Sequence, residues 1–95
     1  MAVAIEMNFK GATLEQYDEV LKLMGLDGDQ PAPAGALFHW AAQTEDGLRV
    51  VDVWETREQF DRFAEEQIGP YSAQAGIPGP PEMTYRDVHN TLGGS

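Results

Sequence analysis

The stretch LRVVDVWETREQFDRF, residues 48–63, decides the fold because a strand leads directly into a helix there. Residues 48–55 contain three Val and one Trp, a composition that is typical of a strand. Residues 56–59 (TREQ) have the spacing of a capping box, in which a Thr and a Gln each satisfy a backbone amide at a helix start. The sequence therefore predicts a strand followed by a helix, with Phe60 and Phe63 on the apolar face of that helix.

The residues before this stretch predict a hairpin and, upstream of it, a first strand and a first helix. Residues 36–43 are strand-like, and residues 44–47 (TEDG) end in the Asp-Gly pair that is typical of a hairpin turn. Residues 3–9 alternate between apolar and polar side chains, which predicts a half-buried strand. Residues 13–16 (TLEQ) form another capping box, and Gly25 is placed to end the helix that follows it.

The residues after the second helix predict a connector and one last strand. Gly69 and Pro70 are expected to break the helix, and residues 70–81 to form a proline-rich connector with one short turn. Residues 82–92 are expected to form a strand with a bulge near Asp87. Right-handed crossovers in this β-α-β-β-α-β order place both helices on one face of a four-stranded antiparallel sheet. The predicted fold class is therefore α+β with a ferredoxin-like topology.

The composition excludes several classes of protein. The chain has 95 residues, 16 acidic and 6 basic side chains, a formal net charge of −10 and no cysteine. So acidic a chain is not expected to bind nucleic acid or an anionic membrane surface, because both carry charge of the same sign. No apolar run is long enough to span a membrane and no signal peptide is visible, so a cytoplasmic protein is expected. Residues 1–92 are predicted to form one domain, and residues 93–95 a flexible linker.

The hairpin register sorts its side chains onto the two faces of the sheet. One set is almost wholly apolar and is expected to face the helices: Phe38, Trp40, Ala42, Val51 and Val53. The mixed set is expected on the open face, together with Glu6 and Asn8 of the first strand: Leu37, His39, Ala41, Val50, Asp52 and Trp54. Such a face is costly unless it is covered, so a second copy of the chain is expected to cover it in a homodimer.

A His–Asp pair is the most informative feature of the mixed set. His39 lies opposite Asp52 if the turn has four residues, and opposite Trp54 if it has two. A carboxylate in mid-strand must be paired, solvated in a cleft or functional, and an imidazole beside it can serve as a general base. Asp52 and His39 are therefore the candidate catalytic residues, and the alternative is that they only satisfy one another.

Six further residues are candidates for substrate binding: Trp54, Asn8, Glu6, Leu37, Val50 and Arg86. Trp54 is either the wall of a pocket or plain core, and Arg86 either binds an anionic oxygen or pairs with Glu82 or Asp87. Residues 25–35, rich in Asp, Gly and Pro, form a long loop that is either a lid or a solvated connector. The two His and the scattered carboxylates have no metal-ligand spacing, so no metal is expected.

The sequence resembles the antibiotic-biosynthesis-monooxygenase-like branch of the dimeric α+β barrel superfamily. The resemblance covers about residues 2–92, and it is carried by VVDVWE at 50–55 and TREQFDRF at 56–63. It implies a homodimer whose two sheets pack face to face, with a ligand pocket in each subunit between the sheet and the helices or loops. Well-studied members of this branch oxygenate phenolic compounds without a metal or a flavin. Relatives catalyse other reactions, since one fold hosts many chemistries.

The resemblance also implies roles for individual residues. Cofactor-free oxygenases of this branch carry a Trp and an Asn four residues apart on one strand, and a further Asn on the first strand. Trp54 resembles that Trp and Asn8 resembles the first-strand Asn, whereas position 50 holds Val where those enzymes have their second Asn.

The sequence thus predicts a homodimer that binds a hydrophobic or aromatic small molecule. If it is an enzyme, the expected chemistry is cofactor-free proton abstraction by Asp52 or His39, with Trp54 stacked on the substrate and Asn8 donating to the developing oxyanion. The alternatives are a non-catalytic module for ligand binding or dimerisation, and an engineered base-catalysed enzyme on this scaffold.

Overall fold

The computed structural model describes residues 2–92, so the linker predicted at 93–95 lies outside the described residues. The elements follow the predicted order: β1 (Val3–Lys10), α1 (Leu14–Met24), β2 (Ala36–Thr44), β3 (Gly47–Trp54), α2 (Arg57–Phe63), a π-helical turn (Ala64–Ile68), α3 (Gly69–Gln74) and β4 (Glu82–Asp87). The strands pair antiparallel in the order β2-β3-β1-β4. The predicted ferredoxin-like α+β topology is confirmed.

The hairpin between β2 and β3 adopts the register that the sequence predicts for a four-residue turn at 44–47, although the end residues of that turn also pair. His39 lies opposite Asp52, and Thr44 pairs with Gly47, so that only Glu45 and Asp46 remain in the loop. A bulge at Leu37 shifts the register near the start of β2. The cross-strand pairing of His39 with Asp52, which the sequence left open, is the pairing that positions the site described below.

The face assignment made from the hairpin alone is wrong, because the two sets of side chains lie on the opposite faces. The apolar residues of β1 face the helices, as predicted, and Ile5 pairs with Asp52 while Met7 pairs with Val50. Cross-strand partners share a face, so the mixed set lies on the helix side. The apolar set therefore lies on the open face, where Trp40 remains 41% exposed. The polar members of the mixed set tolerate the helix side because they hydrogen-bond to one another.

The core lies between the sheet and the helices. Its largest fully buried side chains are Phe60, Ile5 and Met7. Phe60 contacts Trp54 and Tyr85 edge to face, with ring centroids 5.8 Å and 6.0 Å apart respectively. These contacts join the second helical segment to the central and edge strands of the sheet.

The two helix starts follow the predicted capping pattern to different degrees. At α1 both bonds of the box are present: Gln16 N donates to Thr13 Oγ1 over 3.1 Å, and Thr13 N donates to Gln16 Oε1 over 3.0 Å. At α2 the amide of Gln59 donates to Thr56 Oγ1, but the Gln59 side chain accepts from the Thr56 hydroxyl, not from its backbone amide. The second capping box is therefore only half formed.

The predicted break at Gly69-Pro70 is also wrong, because the helix continues to Gln74. Proline lacks an amide hydrogen and its ring clashes with the carbonyl four residues earlier. The π-helical turn at Ala64–Ile68 directly precedes this position and widens the helix there. The last strand, β4, ends at Asp87, five residues before the predicted limit. Within residues 2–92, no helix is long and apolar enough to cross a membrane.

We expect Gly35→Ala to destabilise the fold by about 1–2 kcal/mol, because a positive φ and a close contact act together there. Gly35 has φ +92°, and an added Cβ would lie 2.6 Å from Gln59 Cδ. Gly25→Ala is the matched control, since Gly25 has φ +75° and open space around the added Cβ. Urea unfolding of both variants checks the prediction. An equal loss in the two would show that the contact with Gln59 contributes nothing.

Candidate active site

Three elements bring the candidate site together on the helix side of the sheet. Asp52 and Trp54 are two residues apart on β3, so the alternation of the strand places both side chains on one face. The register adds His39 from β2, directly opposite Asp52. Tyr17 reaches the same place from the first half of α1, where its hydroxyl meets the His39 ring.

These four side chains form one hydrogen-bonded chain. Trp54 Nε1 donates to Asp52 Oδ2 over 3.1 Å, and the other oxygen, Oδ1, lies 2.5 Å from His39 Nδ1. The second ring nitrogen of His39, Nε2, lies 2.5 Å from the hydroxyl of Tyr17. The chain runs from buried to open surroundings: Trp54 is 2% exposed, whereas the His39 side chain is 42% exposed.

With Asp52 ionised and the His39 ring neutral, one assignment of donors and acceptors satisfies this set of hydrogen bonds. An indole N–H only donates and an ionised carboxylate only accepts, so Asp52 accepts from both of its neighbours. His39 therefore carries its hydrogen on Nδ1, which leaves Nε2 as an acceptor in the neutral ring. Tyr17 must then donate its hydroxyl hydrogen to Nε2. The arrangement orients a basic nitrogen toward the open end of the chain, as a carboxylate behind a histidine does in nucleophilic and general-base enzymes.

The Tyr17 phenol stays protonated in this environment. Burial raises the pKa of Tyr17 above its usual value, and the nearby carboxylates of Asp52 and Asp18 raise it further. Both effects disfavour the anionic phenolate. Tyr17 is therefore a hydrogen-bond donor at neutral pH.

A cavity of about 340 Å³ lies in front of this chain, between the sheet, α1 and the loop at 25–35. Its walls are mostly apolar, which is typical of small-molecule sites. Its lining includes five predicted candidates, Asp52, His39, Trp54, Val50 and Leu37, and also the aromatic ring of Tyr17. The described lining contains no Lys or Arg, so the cavity favours a neutral, hydrophobic molecule.

The loop at 25–35 contributes directly to the cavity. Leu26, Gln30, Ala32 and Pro33 form part of its lining. Leu26 and Pro33 are half-buried there, whereas Gln30 and Ala32 are exposed. The loop therefore borders the cavity, and its two interpretations, a lid and a solvated connector, both stay open. The location between sheet, helix and loop matches the pocket that the family resemblance implies.

Three predicted substrate-binding residues do not reach the cavity. Glu6, Asn8 and Arg86 lie on the open face, because β1 presents Ile5 and Met7 to the helices and its alternate residues to the other side. The predicted placement of Glu6 and Asn8 with Asp52 was wrong for the same reason as the face assignment.

These three residues belong to a polar row on the open face. Asn8 Nδ2 donates to Glu6 Oε2 over 3.1 Å, and Arg49 Nε donates to Asn8 Oδ1 over 2.9 Å. Arg86 lies 3.6 Å from Glu6 Oε1. Its partner is therefore Glu6, and the predicted pairing with Glu82 or Asp87 is not the one found.

Tyr17 is the site residue that the sequence did not predict. Its position at helical spacing with Leu14 and Leu21 indicates an ordinary core aromatic. The signal that could have identified it is the face of α1: a helix packed on the side of the sheet that holds His39 brings its inward residues to that histidine. That inference requires the correct face assignment. Within residues 2–92, no group of three or more His, Cys, Asp or Glu side chains could hold a metal ion.

Solved structures with the same fold carry related descriptions. A structure from Chloroflexus aurantiacus J-10-fl, described as a candidate antibiotic biosynthesis monooxygenase, matches with a TM-score of 0.69 and 15% identity over 100% of both chains. Rv0793 from Mycobacterium tuberculosis matches with a TM-score of 0.66 and 18% identity, over 98% of this chain and 100% of that one. SnoaB from Streptomyces nogalater, a cofactor-independent oxygenase, matches with a TM-score of 0.55 and 21% identity, over 96% and 94%.

No protein-family model matches the sequence, and no curated protein matches it significantly. At these identities the structural likeness establishes the fold and not the reaction. The chain therefore has the fold of the antibiotic biosynthesis monooxygenase structures, and the predicted resemblance is confirmed at the level of the fold.

Proposed function

We propose that the protein is a homodimeric, cofactor-independent enzyme that abstracts a proton from a hydrophobic or aromatic small molecule, in the manner of a monooxygenase of this fold. The observation that carries this proposal is the oriented His39 in the wall of an apolar cavity. Asp52 supports the histidine from behind, and Trp54 holds the carboxylate in turn. The cofactor-independent oxygenase with the same fold supports the proposal as an analogy.

The proposed reaction begins with a ligand in the cavity whose acidic proton faces His39 Nε2. The proton moves to Nε2, and the electron pair stays on the ligand as a delocalised anion. Asp52 stabilises the imidazolium that forms, and it keeps the ring in the required orientation. In this proposal Asp52 is a supporting group and His39 is the base, and the hydrogen bond between His39 Nδ1 and Asp52 Oδ1 supports this division of roles.

The walls of the cavity define the proposed binding residues. Trp54 gives a flat aromatic wall, and its ring lies 5.1 Å from that of Phe63. Leu37 and Val50 add apolar surface near the histidine. A planar hydrophobic molecule fits such walls because it buries apolar area without leaving a charge unpaired.

A substrate screen tests the proposal. Phenols, quinols and compounds with acidic C–H bonds are incubated with the protein under oxygen, and products are identified by mass. We expect at least one compound to turn over with the wild type, and His39→Gln to lose this turnover by about 10²–10⁴-fold. Turnover that is unchanged in His39→Gln would contradict the proposed role of the base.

A non-catalytic ligand-binding protein is the second candidate. It is favoured by the complete hydrogen bonding of the site: within the described residues no buried side-chain nitrogen or oxygen lacks a partner. A set of side chains in which every polar atom has a hydrogen-bond partner can serve a purely structural role. Binding of screened compounds without any turnover would favour this candidate.

The homodimer is proposed from the open face of the sheet. Phe38 and Trp40 are 43% and 41% exposed there, beside Val51 and Val53 of the neighbouring strand. Large exposed apolar patches on a soluble chain mark interaction surfaces. The polar row of Arg49, Asn8, Glu6 and Arg86 crosses the same face with both signs of charge. A second copy, turned about a two-fold axis, can therefore cover the apolar part of this face.

We expect Trp40→Arg to shift the protein from dimer to monomer, with a dimer dissociation constant raised at least about 100-fold. A central aromatic anchor carries much of the energy of an interface, and an arginine there would bury an unpaired charge. Sedimentation velocity over a concentration series measures the shift. Met83→Arg is the matched control, since Met83 is 37% exposed but pairs with Met7 on the helix side. A Trp40→Arg variant that remains dimeric would contradict this interface.

A further inference from the structure

The hydroxyl of Tyr17 occupies the position that a ligand proton needs in the proposed reaction. It donates to His39 Nε2 over 2.5 Å, and this nitrogen is the proposed base. The Tyr17 and His39 rings lie nearly parallel, with an interplanar angle of 7° and centroids 6.0 Å apart. A ligand can reach Nε2 only when the Tyr17 hydroxyl gives way. In this structure the Tyr17 hydroxyl therefore caps the proposed base, His39 Nε2.

The proposed proton transfer also leaves a negative charge that needs a hydrogen-bond donor. Asn8, the donor that the sequence suggested, lies on the opposite face of the sheet. The indole N–H of Trp54 already donates its hydrogen bond to Asp52, so it is not free to donate to a ligand. The Tyr17 hydroxyl lies within hydrogen-bond distance of Nε2, so it is next to any oxygen that gives its proton to that nitrogen.

We propose that Tyr17 exchanges partners during the reaction: it caps His39 Nε2 in the free protein, and donates to the ligand oxygen as that oxygen gives its proton to Nε2. This inference rests on the proposed function. The proton moves from the ligand oxygen to Nε2, and the O–H electron pair stays on that oxygen. Tyr17 keeps its own O–H bond and stabilises the new oxyanion by a hydrogen bond.

The surroundings of Tyr17 suit both roles. The raised pKa of Tyr17 keeps its phenol protonated, as a donor must be. The charged and titratable groups that face it are Asp52, Asp18 and His39. The two carboxylates oppose a negative charge on Tyr17 itself, so the negative charge develops on the ligand and not on the tyrosine.

Binding of two matched probes to Tyr17→Phe tests the capping role. 2-Naphthol has a hydroxyl that can replace that of Tyr17, and 2-methoxynaphthalene has the same rings without a donor. Because the variant has no cap to displace, we expect it to bind 2-naphthol about three- to tenfold more tightly than the wild type does. Its affinity for 2-methoxynaphthalene should not change. Calorimetry measures both, and equal changes for the two probes would overturn the inference.

The state of His39 gives a readout that needs no ligand. In ¹⁵N NMR of the free protein, Tyr17→Phe should shift the Nε2 resonance toward that of an unbonded nitrogen, and 2-naphthol should shift it back. Tyr71→Phe is the control, since Tyr71 packs against the core and does not line the cavity. An Nε2 resonance that does not respond to Tyr17→Phe would overturn the inference. If the Nε2 resonance shifts as expected in Tyr17→Phe but neither naphthalene probe binds the protein, the proposed ligand cavity is contradicted, and the inference is overturned with it.

The donor role of Tyr17 is tested by measuring kcat and KM separately in the Tyr17→Phe variant. On any substrate from the screen, Tyr17→Phe should lower kcat by about 100-fold, the effect of removing one oxyanion donor, without raising KM. A purely structural tyrosine would raise KM or lower stability instead. An unchanged kcat would overturn the donor role.

Discussion

Replacing Asp52 by Asn is expected to lower kcat by about 10²–10⁴-fold while the protein remains folded. The asparagine has the same shape, but only one of its two terminal atoms accepts hydrogen bonds. Asp52 must accept from Trp54 Nε1 on one side and from His39 Nδ1 on the other. An amide that accepts from Trp54 presents its NH₂ group to His39, which then moves its hydrogen from Nδ1 to Nε2. The proposed base then has no lone pair at Nε2, the atom that would take the proton.

Measurement of kcat together with the ¹⁵N spectrum of His39 checks this prediction. The change of tautomer should accompany the loss of rate, which separates the proposed cause from general damage. Asp61→Asn is the matched control, because Asp61 is exposed on α2, pairs with Arg57 and accepts from Tyr85 outside the cavity. Asp61→Asn should keep the wild-type rate. An Asp52→Asn variant with full activity would contradict the proposal that Asp52 keeps the hydrogen of His39 on Nδ1.

The elements of the fold could be predicted because their signals are local. Alternation in β1 and the Thr-x-x-Gln pattern before each helix depend on neighbours along the chain. The π-helical turn at Ala64–Ile68 had no such local signal. It accommodates Pro70, which lacks an amide hydrogen, within a helix that packs on the sheet. Local rules treated that proline as a stop. Packing against the core offset the cost and the helix continued.

The site could be predicted only in part because it depends on which face of the sheet is covered. The sequence identified the pair of His39 and Asp52, since pairing in a hairpin follows from the turn. It reversed the faces, because apolar content alone favoured Phe38 and Trp40 for the helix side. The decisive information was the pairing of β1 with β3, a long-range contact that no hairpin rule contains. Tyr17 followed from that pairing, and so could not be found before it.

Phe60→Ala should have the largest effect on stability, a loss of about 3–5 kcal/mol in the free energy of unfolding. Phe60 is 0% exposed, and it contacts Trp54 on one side and Tyr85 on the other. Its removal leaves a cavity between the helix and the sheet, and both aromatic neighbours lose a packing partner. A domain of this size is stable by about 5–15 kcal/mol, so the variant would lose a large share of its stability.

Urea unfolding at one fixed protein concentration checks this prediction, because the stability of the proposed dimer would depend on concentration. Phe60→Leu should lose less, since it keeps most of the volume. Leu14→Ala is the surface control: Leu14 is 44% exposed at the start of α1, so its truncation removes little buried area. A loss below about 2 kcal/mol in Phe60→Ala would mean that the surrounding helix collapses onto the sheet. In that case the cavity beside Trp54 would narrow as well, and ligand affinity would fall with stability.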